Sequence, residues 1–431
     1  MNAYKKSSIL IATLLLFVGV ACNRNEEPYF SYHSADDFVL APTDTILSIK
    51  VESNVAWTLT SDAAWCMPQT TAGVGNNEVK VIVTENDEQG EREATLTLNS
   101  IDAAYIKHIK VTQQRLTPDA TTVYRLPVVF HVLYKSSTNK QQNVVKGHLA
   151  TLIDAVNEVY AHCGEELGLE FVMATHDPEG NLLEEPGVDR QQIKQEKLNS
   201  SSFMRSEKNN QYMWDPNRYI NIFLYTFEDA GILGISHFPY VIKPHSMEGC
   251  EELEHDADWN ELPWPQCVSI NNEYIYSHEA YYTITDVVNT LAHELGHFLG
   301  LRHAFSEDPV TYDRNTCIDS DFCADTPTYN KAAYDKLMQA YMSSGGIIDK
   351  EEEELLMMRE DCETGEEFRS TNIMDYAYSE ANRFTPQQAA RIRYVLEHSP
   401  YIPGPKIRLP EQQVPTTKST RVNQYVLKTF E

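Results

Sequence analysis

Histidines at 293, 297 and 303, with Glu294 beside the first and Gly300 between the second and third, constrain this 431-residue chain more tightly than any other feature. Ile284, Val287, Leu291, Leu295 and Phe298 recur at helical spacing, so the segment reads as an amphipathic helix with its apolar stripe on a core. Thr283 and Asp286 make a capping-box-like start. His293 and His297 are four residues apart and project one turn apart from the opposite face, within reach of one ion. Gly300 can take the left-handed conformation that ends a helix, which swings His303 back toward the same point. Three neutral imidazoles leave the fourth position of a zinc ion open to water, which is the catalytic arrangement, and Glu294 is then placed as general base.

The rest of the chain says where such a site would work. Lys5 and Lys6 precede an apolar stretch from Ile9 to Val20 that is too short to span a bilayer, so residues 1–21 read as a secretory signal peptide. Val18-Gly19-Val20-Ala21-Cys22 resembles a bacterial lipoprotein signal, which implies lipid on Cys22 and a linker over 22–28. The acidic residues that follow resemble those of exported lipoproteins of the Bacteroides group, so the expected address is the cell envelope, at the outer membrane, with membrane attachment by lipid alone. A net charge of −28 repels phosphate backbones and no basic stripe offsets it, which excludes nucleic acid as a partner.

Residues 29–116 read as short strands. Leu47, Ile49 and Val51 alternate with polar residues, as do Val79, Val81 and Val83, with Asn/Asp/Gly-rich turns between such runs. The expectation is an all-β sandwich. Ser53-Asn54-Val55-Ala56-Trp57, Trp65, Arg92-Glu93-Ala94-Thr95-Leu96 and Val111-Thr112-Gln113-Gln114 resemble the BACON module. That resemblance implies carbohydrate or mucin as a partner, with Trp57 and Trp65 able to stack on sugars or to serve as core.

From about Thr117 the pattern mixes strands and helices. Val128 to Tyr134, Leu169 to Ala174, Arg218 to Phe227 and Val268 to Ile270 read as strands; Leu149, Leu152, Ile153, Val156 and Val159 define one face of a helix. Thr371-Asn372-Ile373-Met374-Asp375-Tyr376 follows the histidine helix by about 70 residues, the pattern in which a turn bearing Met374 floors the zinc site. With Leu301-Arg302-His303-Ala304-Phe305, Asp325-Thr326-Pro327 and Phe384-Thr385-Pro386-Gln387-Gln388, residues 120–405 resemble the pappalysin family of metzincin metalloproteases. The resemblance implies an α+β catalytic domain with a mixed twisted sheet and an active-site helix, and a peptide or protein substrate. It further implies Tyr376 near zinc as a hydrogen-bond donor to the oxyanion, and calcium beside the cleft, for which Asp319, Asp321 and Asp325 are the candidate ligands. The long segment between Asp325 and Asn372 departs from the family, with a helix expected over 330–341 and an acidic run. Residues 406–431 read as an extended tail.

Eight cysteines are too few for a disulfide scaffold, but export permits bridges, and no C-x-x-C pair supports a zinc ribbon. Cys250 is expected to pair with Cys267 across a short loop, and Cys362 with Cys317 or Cys323. The function expected is zinc-dependent endopeptidase; the rival is a surface carbohydrate- or mucin-binding adhesin with a structural zinc site. An intact Glu294 and an open fourth position weigh against the rival.

Overall fold

The computed structural model describes residues 27–407 and 426–430, apart from 87, 89, 101–103, 244, 256, 263–265, 278–285, 344–349 and 377. The signal segment, Cys22 and Thr283 lie outside the described residues. The chain forms two compact units: one of the segment up to Phe38 with Ile46–Val83 and Ala94–Val111, the other of Val39–Thr45, Thr84–Glu93 and everything from Thr112.

The N-terminal strands fall into two sheets. One runs Phe30–Tyr32, Ile46–Ser53, Asn77–Val83, Cys66–Pro68 from edge to edge; the other runs Asp37–Leu40, Tyr105–Gln113, Arg92–Ser100, Ala56–Ser61, Ala72–Val74. The period-two alternation of the sequence reappears as burial, with Ile49, Val51, Val79, Val81, Leu59, Leu96, Leu98 and Ile109 sealed from solvent. Trp57 belongs to this core and is 1% exposed. Its Nε1 donates to the Gly75 carbonyl at 3.0 Å, and Gly73 approaches so closely that a Cβ there would lie 2.4 Å from the indole. Sugar stacking by Trp57 is therefore excluded, because its ring is enclosed and its only polar atom is already satisfied inside.

The larger unit is built on a mixed sheet. β1 (Tyr124–Tyr134) pairs in parallel with β2 (Leu169–Met173) and, further along the same edge, with β3 (Val188–Gln192). Its other edge takes β4 (Ile220–Tyr225), also parallel. Next come the last parallel strand, β6 (Val268–Asn271), then β5 (Ile232–His237) antiparallel to it, and β7 (Val426–Phe430) antiparallel to β5. β1 and β4 are apolar on both faces because both faces are covered. On one face α1 (His148–Ala161) sets Leu149, Leu152, Ile153 and Val156, and α2 (Val287–Phe298) adds Leu291, Leu295 and Phe298. The Tyr160 hydroxyl of α1 donates to the Ala292 carbonyl of α2 at 3.0 Å. The opposite face is closed by Phe203, Met204 and Met213 against Leu133, Phe223 and Tyr225.

Two further helices frame the site. α3 (Lys331–Ser343) lies in the segment between Asp325 and Asn372. α4 (Pro386–His398) starts with a full capping box between Thr385 and Gln388 and with Pro386 in its first turn, then buries Ile392, Val395 and Leu396.

Candidate active site

α2 carries the first two histidines. Its N-cap is Asp286, whose carboxylate accepts from the Asn289 N–H at 2.9 Å, so the helix begins at Val287. It ends at Gly300, where φ is +90° and a Cβ would meet Val395 of α4 at 2.8 Å. Backbone freedom and close approach both demand glycine there. The chain then turns back and delivers His303.

His293, His297 and His303 are 3%, 0% and 2% exposed, and their nearest ring nitrogens all lie within 4.8 Å of one another. The hydrogen bonds fix their tautomers. Nδ1 of His293 faces the Ile373 carbonyl at 2.8 Å, Nδ1 of His297 the Leu301 carbonyl at 2.7 Å, and Nδ1 of His303 the Glu307 carboxylate at 3.2 Å. All three acceptors require N–H at Nδ1, which leaves Nε2 as a lone pair on each ring. Nε2 of His293 is buried with no hydrogen-bond partner among the described residues, and the Nε2 atoms of His297 and His303 stand 3.2 Å apart, lone pair toward lone pair. Two ligands on a tetrahedral zinc with 2.0–2.1 Å bonds are about 3.3 Å apart. The trio thus fits a zinc ion. Burial pushes the His293 imidazole down to about 4, against the pull of the Ile373 carbonyl and Asp375, and holds His297 and His303 well below the usual histidine range. All three are neutral at physiological pH, as ligation requires.

Around the trio the remaining groups close in. Glu294 is 0% exposed and sits against β5, where Gly234 leaves it room: a Cβ at 234 would be 2.6 Å from Glu294 Cγ. The turn at 372–376 is tied to both ends of the histidine motif. Ile373 accepts from His293, and the Met374 carbonyl accepts from the Ala304 N–H at 3.1 Å. The Met374 thioether lies over Gly296, and the Tyr376 ring centre is 4.8 Å from that of His303 and 5.7 Å from that of His293. Burial pushes the Tyr376 phenol upward, so it stays a protonated donor.

Comparison with known proteins agrees with this arrangement. Residues 204–397 match a peptidase family described as pregnancy-associated plasma protein-A, and residues 55–114 match BACON, a candidate N-terminal binding domain. The chain is a metalloprotease, similar over residues 204–397 to the pappalysin type. It is similar to proteins named extracellular metalloprotease from Arthroderma benhamiae, at 26% identity over 70% of this chain and 84% of the relative, and from Arthroderma otae, at 26% over 64% and 79%. Among solved structures, mature mirolysin of Tannerella forsythia in complex with a cleaved peptide is 22% identical, covers 64% of this chain and 92% of that one, and has a TM-score of 0.42.

Other expected features of the pappalysin-type domain fall out differently. Cys317 and Cys362 form a disulfide, whereas Cys250, Cys267 and Cys323 are free. The expected Cys250–Cys267 bridge is corrected: Cys250 packs in the cluster on the α1–α2 face of the sheet and Cys267 in the cluster on the other face, beside Met204 and His237. A short loop does not help two thiols that a sheet separates. Among the described residues the group of three placed to share an ion is the histidine trio; of the calcium candidates Asp319, Asp321 and Asp325, Asp319 lies beside Asp321. Asp325 accepts from the Gln387 N–H at 2.9 Å in the first turn of α4, where a helix favours an anion, and Asp319 is exposed. Asp321 is buried and accepts from the Cys323 N–H at 2.9 Å; burial, with Asp319 nearby, pushes its carboxyl up to about 7.

Gly234, Gly296, Glu307 and Arg359 shape the site without any local sequence signal. Gly296 gives a direct test. Alanine normally stabilises a helix interior by about 1 kcal/mol over glycine, but here its Cβ would lie 2.4 Å from the sulfur of Met374, which is 0% exposed, so the buried thioether has to leave its place over the helix. Gly296→Ala is expected to destabilise the domain by about 1–3 kcal/mol and to lower turnover. A rise in the unfolding temperature would refute this packing account.

Proposed function

We propose that the chain is an exported zinc endopeptidase anchored at the cell envelope through lipid on Cys22, acting on proteins or peptides. The observation that carries the catalytic reading is the trio of Nδ1-donating histidines with lone pairs converging beside Glu294. Zinc bound there supplies Lewis-acid activation of water and of the scissile carbonyl. Glu294 takes a proton from the attacking water and later returns it to the leaving amine. The Tyr376 hydroxyl donates a hydrogen bond to the carbonyl oxygen as negative charge builds on it. Because all of these groups are buried, their fields act through a poorly screening medium at the moment of reaction. The adhesin alternative loses Trp57 as an aromatic anchor but keeps Trp65, which is half-buried, so the N-terminal module is assigned to spacing or to placing the enzyme near large substrates, glycan-bearing ones included.

The test is peptide-library cleavage by the purified 23–431 protein before and after treatment with a zinc chelator. Cleavage should vanish with the metal and return when zinc is restored. Cleavage that persists in protein shown to be metal-free would overturn the assignment.

A further inference from the structure

We infer that Glu307 and Arg314 are positioning residues that join the third zinc ligand to the oxyanion donor, an inference that rests on the peptidase reading above. The three ligand histidines are not supported alike. His293 and His297 donate to neutral backbone carbonyls, whereas His303 faces the Glu307 carboxylate, Nδ1 to Oε2 at 3.2 Å. An imidazole whose N–H is given to a carboxylate is held in one tautomer and is a stronger donor through its other nitrogen. Glu307 is 7% exposed and is kept in place by its own backbone N–H, which donates to Ser320 Oγ at 3.0 Å.

A buried carboxylate needs a counter-charge, and Arg314 supplies it: Nε donates to Glu307 Oε1 at 2.9 Å. The same guanidinium reaches the phenol. Its Nη2 lies 3.4 Å from the Tyr376 hydroxyl, and its central carbon lies 5.3 Å from the Tyr376 ring centre and 5.4 Å from that of Phe305. Arginine has no acceptor, so the phenol oxygen receives this hydrogen bond and directs its own hydrogen elsewhere, which is the orientation an oxyanion donor needs. The Tyr376 ring then returns edge-on to His303 at 4.8 Å and closes the circuit. Metal-ligand strength and phenol orientation are therefore set by one polar chain, His303–Glu307–Arg314–Tyr376.

Full-length Glu307→Gln, Arg314→Lys, Tyr376→Phe and the Arg314→Lys/Tyr376→Phe double variant separate the links. Zinc affinity is read by chelator competition, and kcat and KM at saturating zinc. Glu307→Gln should weaken zinc binding by about 10–100-fold, while Tyr376→Phe leaves it unchanged. Arg314→Lys keeps the positive charge beside Glu307, so it tests the second link even if Glu307→Gln fails to fold. It should lower kcat by about tenfold with little change in KM, and by less than about twofold once Tyr376 is Phe. Wild-type zinc affinity in a folded Glu307→Gln protein, or independent multiplication of the Arg314 and Tyr376 effects, overturns the inference while leaving the peptidase reading intact. A wild-type protein without zinc-dependent cleavage takes down both.

Discussion

Replacing Glu294 with alanine is expected to leave the protein folded and zinc-bound while peptide turnover falls by about 10²–10⁴-fold. The three converging nitrogens belong to His293, His297 and His303, so removing the carboxylate takes no ligand from the metal. It removes the only acidic side chain of the histidine motif, one that Gly234 of β5 leaves room for. His297→Ala is the contrast, since it should lose metal and turnover together. Metal content measured beside peptide cleavage decides between roles. Full metal with near-wild-type turnover removes Glu294 as proton carrier, and loss of metal in Glu294→Ala makes it a ligand instead.

A second large effect is expected in the turn beneath the metal site. Asp375, between Met374 and Tyr376, is paired with Arg359 at 3.3 Å, and the two side chains are 2% and 0% exposed. Tyr329 and Ser370 also donate to the Asp375 carboxylate, and Arg359 stacks over Tyr334 at 3.7 Å while donating to the Leu356 carbonyl at 2.6 Å. Arg359→Leu leaves a buried carboxylate without its cation inside the turn that floors the metal site. The expected cost is about 3–5 kcal/mol of stability, with activity lost below the wild-type unfolding temperature. Arg359→Leu/Asp375→Leu should recover part of that loss, because the uncompensated charge is then gone. Denaturant unfolding of both variants is the measurement; a single variant as stable as the parent would show that the pair is not needed.

These residues also mark the limit of what the sequence can say. The histidine helix was legible because its chemistry is local: apolar spacing sets the face, and Gly300 sets the turn that returns His303. β1, β2, β4 and α1 were legible for the same reason, as runs or periodic stripes long enough to carry one period. α4 has a readable start in Thr385, Pro386 and Gln388, but its apolar stripe of Ile392, Val395 and Leu396 is too short to announce a helix by periodicity alone. β5 is six residues without alternation, because all six are buried. The cysteine pairing failed at 250 and 267 since loop length carries no information about which face of a sheet a thiol occupies. Glu307, Arg314 and Arg359 look in the sequence like any other charges; only the fold sets Arg359 against Asp375 and Arg314 against Tyr376.

The bridge between Cys317 and Cys362 spans 45 residues, and inside that span lie Tyr329, α3 and Arg359. With the two cysteines joined, a single cut inside the span divides the polypeptide without dividing the molecule. Arg359 and Tyr329 stay tethered beside Asp375, the severed ends cannot diffuse apart, and the break becomes visible only after reduction. The disulfide thus gives the chain tolerance to a backbone break within its loop.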